Sequence, residues 1–224
     1  MIVQRYDYTI DFCDMDLSNE QYAVYRIRQR ERKVSSMCKA ISQLKNMSAD
    51  AILELCGQTN SIPVDLKAIL RKLGISAIPI DFLEVENDIR QKFNANVQVL
   101  GAIATKGEHA AIFYNRKNQG DSHRSRFTIA HELGHCCLNN VTLEDGKTHI
   151  DCRIEGISQS EDEIAANIFA GELLIPESSL YQTIEKLLMP SVHILAEIFD
   201  VSDNVMLKRL EYLKVKKNIA GYNY

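Results

Sequence analysis

A chain of 224 residues holds one sizeable domain, or one domain with a small appendage. Its 46% hydrophobic and 25% charged residues are ordinary for a globular protein, and a net charge of −4 argues against wholesale attraction to nucleic acid or membrane. No run is apolar and long enough for a membrane span or a signal peptide. The six scattered cysteines (Cys13, Cys38, Cys56, Cys136, Cys137, Cys152) form no C-x-x-C pair and read as free thiols of a reducing cytoplasm.

From about Ser18 to Lys45, Tyr22, Tyr25, Val34, Met37, Ile41 and Leu44 interleave with a dense run of charges, which predicts a long, partly exposed amphipathic helix. Ser48 is placed to cap a short helix through Leu55 that Gly57 ends. Pro63, the apolar set Val64, Leu66, Ile69, Leu70 and Leu73, and then Gly74 outline a second helix. Ile75 to Ile80 reads as a strand. Val99 to Ala104 and Ala110 to Tyr114 read as a hairpin, whose edge is the expected place for an extended peptide to add a strand.

The most informative stretch follows, Arg126-Phe-Thr-Ile-Ala-His-Glu-Leu-Gly-His135, which contains H-E-x-x-H. Residues four apart share a helix face, so His131 and His135 can point at one metal ion, while Glu132 can take a proton from a water that the metal activates. Phe127, Ala130, Leu133, Cys137 and Leu138 recur at helical spacing and predict a buried face. Gly134 is a poor helix former whose missing side chain leaves room beside a metal. A polar loop is expected from about Asn139 to Ser158.

Catalytic zinc sites commonly use three protein ligands. The helix expected over Glu161 to Leu174, closed by Pro176, opens with three acids, and its apolar face centres on Ala166, Phe169, Ala170, Leu173 and Leu174. Periodicity sets Glu161 opposite that face, but puts Asp162 and Glu163 each roughly 50° from its centre and does not separate them. Asn167, one turn after Glu163, could orient a ligand histidine through its amide, which favours Glu163 as the third ligand. Two more helices, about Ser191 to Phe199 and Asn204 to Leu213, complete an α+β, mainly helical chain with a small three-stranded mixed or antiparallel sheet.

With these motifs in order, the chain resembles the ImmA/IrrE family of bacterial and phage zinc metallopeptidases. The similarity runs through Ser61-Ile-Pro-Val-Asp-Leu66 with Leu73-Gly-Ile75, then Ala111-Ile-Phe-Tyr-Asn115, then the Arg126–His135 run. It continues through Glu163…Ala166-Asn167…Phe169-Ala170…Leu173-Leu174…Pro176 and Ser191-Val…Leu195-Ala196…Phe199-Asp-Val-Ser202…Arg209-Leu210, covering roughly residues 50 to 214. The resemblance implies a gluzincin-like core over residues 51–185 and a helix-turn-helix-like helical subdomain over 186–224, after an N-terminal helical extension, 1–50, of unassigned role. It implies one zinc ion per chain on His131, His135 and Glu163, with Glu132 as general base. It also implies a typical substrate, a helix-turn-helix repressor or antitoxin cleaved to release a mobile element or a stress response. The chain departs from the family where Cys136-Cys137-Leu138-Asn139 replaces an aliphatic pair followed by Leu-His.

Weaker candidates for stabilising an oxyanion are His123, Arg124 and Arg126 ahead of the metal helix, and Tyr114 at a strand end; a basic solvated turn is the commoner role for the first three. His109 and His193 read as ordinary surface or core histidines, His149 is not expected to be a ligand because Glu163 completes the set, and Cys136 and Cys137 read as core thiols. Direct nucleic-acid binding is not expected, because the C-terminal basic cluster is short and helix pairs pack structurally far more often than they bind DNA. The rival to a peptidase is a non-hydrolytic regulator that binds a repressor or nucleic acid through the same fold.

Overall fold

The computed structural model describes residues 41–83, 86–87, 98–106, 109–117, 122–138, 149–154 and 160–222. The long N-terminal helix expected up to residue 45 lies outside these, except for a 3-10 turn at Ile41–Leu44. Helix α1, Ala49–Cys56, starts where the Ser48 hydroxyl accepts from the Ala51 amide and stops at Gly57, whose φ of 70° is left-handed. Helix α2, Leu66–Leu73, is capped by the Asp65 carboxylate and ends at Gly74, φ 72°. Pro63 therefore stands ahead of α2 and not in its first turn.

Strands β1 (Ser76–Ile80), β2 (Val99–Lys106) and β3 (His109–Asn115) form the expected small mixed sheet, with β1 parallel to β3 and β2 antiparallel to it. A fourth strand, β4 (His149–Ile154), pairs antiparallel with β2 and gives the order β1-β3-β2-β4, so the sheet is one strand larger than the sequence analysis expected. The polar loop assigned to 139–158 thus contains a strand. Its Ile150, Cys152 and Ile154 alternate with polar residues, a period-2 signal that the polar flanks mask. The same pairing corrects the expected docking edge: β2 is flanked by β3 and β4, and β3 by β1 and β2, so neither hairpin strand has a free edge.

Helix α3, Ser122–Cys137, lies against β2 and β3 and crosses helix α4, Glu161–Leu174. After Pro176 comes helix α5, Glu177–Lys186, which the sequence analysis did not anticipate. Helices α6 (Val192–Phe199) and α7 (Asp203–Tyr212) form the C-terminal pair. Their buried Leu195, Ala196, Phe199, Met206 and Leu210 belong to one continuous apolar core with Leu53, Ile69, Ile112, Leu133 and Leu173.

Polar ties hold the pair to the rest. Arg209, 5% exposed, donates from Nε to the Ile175 carbonyl (3.1 Å) and faces Glu172 at 3.6 Å. Asp200, in a left-handed conformation at the end of α6, receives His123 at 3.2 Å and Arg126 at 3.5 Å, and Arg126 also donates to the Val64 carbonyl. No helix among the described residues is long and apolar enough to cross a membrane.

Candidate metal centre

Burial of α3 is not confined to a stripe. From Ala130 to Cys137 every residue is buried, because the sheet covers one side and α4 the other. A polar side chain in such a position must find partners within the protein. His131 (0% exposed) and His135 (9%) find each other and α4: their Nε2 atoms are 3.0 Å apart, and Glu163 Oε2 and Oε1 lie 3.3 and 3.1 Å from them. One donor atom from each of these three residues falls within 4.8 Å of the others.

The tautomer of His131 follows from its other ring nitrogen. Nδ1 is 3.0 Å from the Asn167 amide oxygen, which can only accept, so Nδ1 carries a proton and Nε2 is the nitrogen turned to the cluster, where it donates to Glu163 when protonated and would offer its lone pair to a metal. Burial by itself would raise the Glu163 carboxyl. Hydrogen bonding to His131 and His135, together with their charge, outweighs it and holds that carboxyl well below the usual carboxylate range. Two imidazole nitrogens and an anionic carboxylate converging in a largely buried site suit a borderline-soft divalent cation such as zinc. The residues fit the group that the motif implies.

The approach of the two helices depends on Gly134. A Cβ there would stand 3.1 Å from Phe169 Cδ1 and 3.3 Å from both the Cα and the carbonyl oxygen of Ala166. The space that sequence reasoning reserved for a metal is therefore filled by α4 itself, which is how Glu163 and Asn167 come within reach of α3. Of the three acids that open α4, Glu163 is the one brought to the histidines, and Asn167 joins it; Glu161 is exposed.

Glu132, 1% exposed, faces β2, where a Cβ on Gly101 would stand 3.0 Å from its Oε1 atom. Sequence reasoning passed over Gly101; a glycine inside a strand pattern is the signal that could have found it. Tyr114 pairs with Gly101 across the strands, so its side chain leaves the sheet on the face that meets α3. His123 and Arg126 are engaged by Asp200 and link α3 to the C-terminal pair. Cys136 and Cys137 are fully buried; burial first, then Cys56, pushes the Cys137 thiol up to about 12, so both groups sit in the core as neutral thiols at neutral pH. His109 and His193 are exposed, the latter 3.2 Å from Asp203.

Beside the centre runs a groove of about 750 Å³ between α3, α4 and α7. Leu100, Phe127, Ile164, Ile168 and Val205 make its apolar walls, and Asn167 belongs both to it and to the His131 contact.

The Peptidase M78 family model, described as the IrrE N-terminal-like domain, matches residues 72–211, more than half of the chain and all of the site. No curated protein matches it.

Proposed function

The chain belongs to the Peptidase M78 (IrrE N-terminal-like) family of metallopeptidases, and from that premise we propose that it is a zinc-dependent endopeptidase that cleaves a helix-turn-helix repressor or antitoxin in the cytoplasm. The observation that carries the reading is the convergence of His131, His135 and Glu163 beside a buried Glu132. In this reading those three residues hold one zinc ion. Zinc in that position supplies a Lewis acid that lowers the pKa of a water towards neutrality and polarises the scissile carbonyl.

The remaining work falls to the chain. Glu132, next to His131 in sequence but not part of the donor cluster, takes the proton of the attacking water and later gives it to the leaving amine. Asn167 fixes the His131 ring with its lone pair inward. Burial against β2 keeps bulk water from the Glu132 carboxylate. A substrate strand would pair with β4, whose outer edge is covered by no strand among the described residues. Its side chains would have the adjoining apolar groove within reach. Recognition of a protein and not of DNA is supported by the net charge of −4 and by the C-terminal basic residues: Lys208 is paired with Glu211 at 2.9 Å, and Arg209 is buried.

The test is incubation of the zinc-loaded protein with the helix-turn-helix repressor encoded beside its gene. Two fragments should appear, and a chelator should prevent them. Glu132→Gln should keep zinc and fold while losing about 10²–10⁴-fold in rate, the usual contribution of acid–base catalysis. Cleavage by Glu132→Gln at the wild-type rate would sink the mechanism.

A further inference from the structure

The pairing of β2 with β4 is irregular at one point. Val99 is opposite Ile154 and Gly101 opposite Arg153, so two steps on β2 match one on β4 and Leu100 is the extra residue of a bulge. On its other side β2 keeps a regular register, with Gly101 opposite Tyr114. The bulge sits where α3 presses on the sheet. Thr128 and Glu132, one helical turn apart, both face it.

Backbone conformation does not demand glycine here, since among the described residues the glycines with positive φ are Gly57, Gly74 and Gly221. The demand is steric. A Cβ at 101 would collide with Thr128 Cγ2 and stand 3.0 Å from Glu132 Oε1 and 3.1 Å from the Phe113 carbonyl oxygen. Thr128 and Glu132 are 2% and 1% exposed, so neither can swing into water to make room. The strand backbone at 101 is therefore the wall against which the Glu132 carboxylate rests.

We infer that Gly101 is a positioning residue for Glu132: its bare backbone at the β2 bulge sets where the carboxylate stands relative to the His131–His135–Glu163 cluster. The inference rests on the reading of Glu132 as general base. It separates from a purely structural role because the worst of the three contacts, the one with Thr128, can be relieved by itself. Thr128→Ser deletes Cγ2, the atom of the worst clash, and leaves the approaches of a new Cβ to Glu132 Oε1 at 3.0 Å and to the Phe113 carbonyl oxygen at 3.1 Å.

The probe is acetohydroxamate, which binds a metal through two oxygens and shares its acidic proton with a neighbouring carboxylate, so it reports on the carboxylate without any substrate. Zinc content, Tm and acetohydroxamate affinity are measured for the zinc-loaded wild type, Thr128→Ser, Gly101→Ala/Thr128→Ser, Glu132→Gln, and the triple variant. The Gly101→Ala/Thr128→Ser protein should keep its zinc and its cooperative unfolding, with a Tm lower than that of Thr128→Ser by no more than about 8 °C, yet bind acetohydroxamate at least about tenfold more weakly, as expected when a hydrogen bond to a charged group is lost. Adding Glu132→Gln to it should weaken binding no further. An affinity equal to that of Thr128→Ser, or loss of zinc or of cooperative unfolding, overturns the inference. If Glu132→Gln itself binds like the wild type, the base assignment fails first and takes this inference with it.

Discussion

Substituting Gly134 by alanine sets two effects against each other. In an exposed helix the change would stabilise by about 1 kcal/mol through backbone entropy. Here the new methyl would stand 3.1 Å from Phe169 Cδ1 and 3.3 Å from Ala166 Cα and its carbonyl oxygen. Phe169 can turn its ring by a few degrees, but the Ala166 contacts are to main chain, and both residues are buried. Ordinary carbon contacts lie at about 3.5–4.0 Å, so α4 must retreat by about 0.2–0.7 Å. Overpacking of this kind costs about 1–3 kcal/mol, leaving a net loss of about 0–2 kcal/mol and a Tm lower by up to about 8 °C for a chain of this size. The site should suffer more than the fold. His131 and His135 ride on α3 while Glu163 and Asn167 ride on α4, and metal–ligand distances tolerate only about 0.2 Å. Zinc affinity, read by competition with a chromophoric chelator, should fall at least about tenfold, the lower end of what loss of an outer-shell partner costs. A Gly134→Ala protein with a raised Tm and wild-type zinc affinity would refute the tight crossing.

Asn167→Ala should lower zinc affinity by about 10–100-fold while Asn167→Asp, which keeps an acceptor for His131 Nδ1, retains most of it; equal losses in a chelator competition would count against the contact. Cys137 titrates near 12 in the fold against an ordinary 9.0, so the native state favours the neutral thiol. Its contribution is intact below about pH 9 and is lost as pH rises towards 12, about 4 kcal/mol for three pKa units, and urea midpoints should fall over that window less steeply in Cys137→Ala. Arg209→Met should destabilise by about 1–3 kcal/mol because the Ile175 carbonyl and Glu172 lose their partner, whereas Lys208→Ala should stay within about 0.5 kcal/mol; denaturant midpoints of similar size for the two would contradict the buried role.

Much of this was legible where a residue's reason is local. Ser48 and Gly57 bound α1 because a hydroxyl and a left-handed glycine act within one turn of the chain. The HExxH spacing brings two imidazoles together by helix geometry alone. Choosing between Asp162 and Glu163 needed a non-local fact: which of two equivalent flanks of α4 meets α3. Asn167 supplied the hint, because a second polar residue one turn on marks the side facing a histidine. β4 was missed because its alternation is short and embedded in polar sequence, and α5 because Pro176 reads as a stop although it can also precede a new helix. Gly101 was missed because its significance lies in what presses on it from α3.

Helix α3 is restrained at both ends like a shaft in two bearings. At its start Arg126 reaches the Val64 carbonyl and shares Asp200 with His123; at its finish the Cys137 carbonyl accepts from the Asn46 amide at 2.6 Å. The shaft carries both imidazoles, so neither endwise travel nor rotation is available to bring them into line after folding. Alignment is inherited from segments centred near residues 46, 64 and 200, each far from the histidines in sequence. A fragment cut after α5 would keep HExxH and Glu163 yet lose the Asp200 bearing. Trimming the chain down to its motif would leave every reactive group present and the tolerance between them gone.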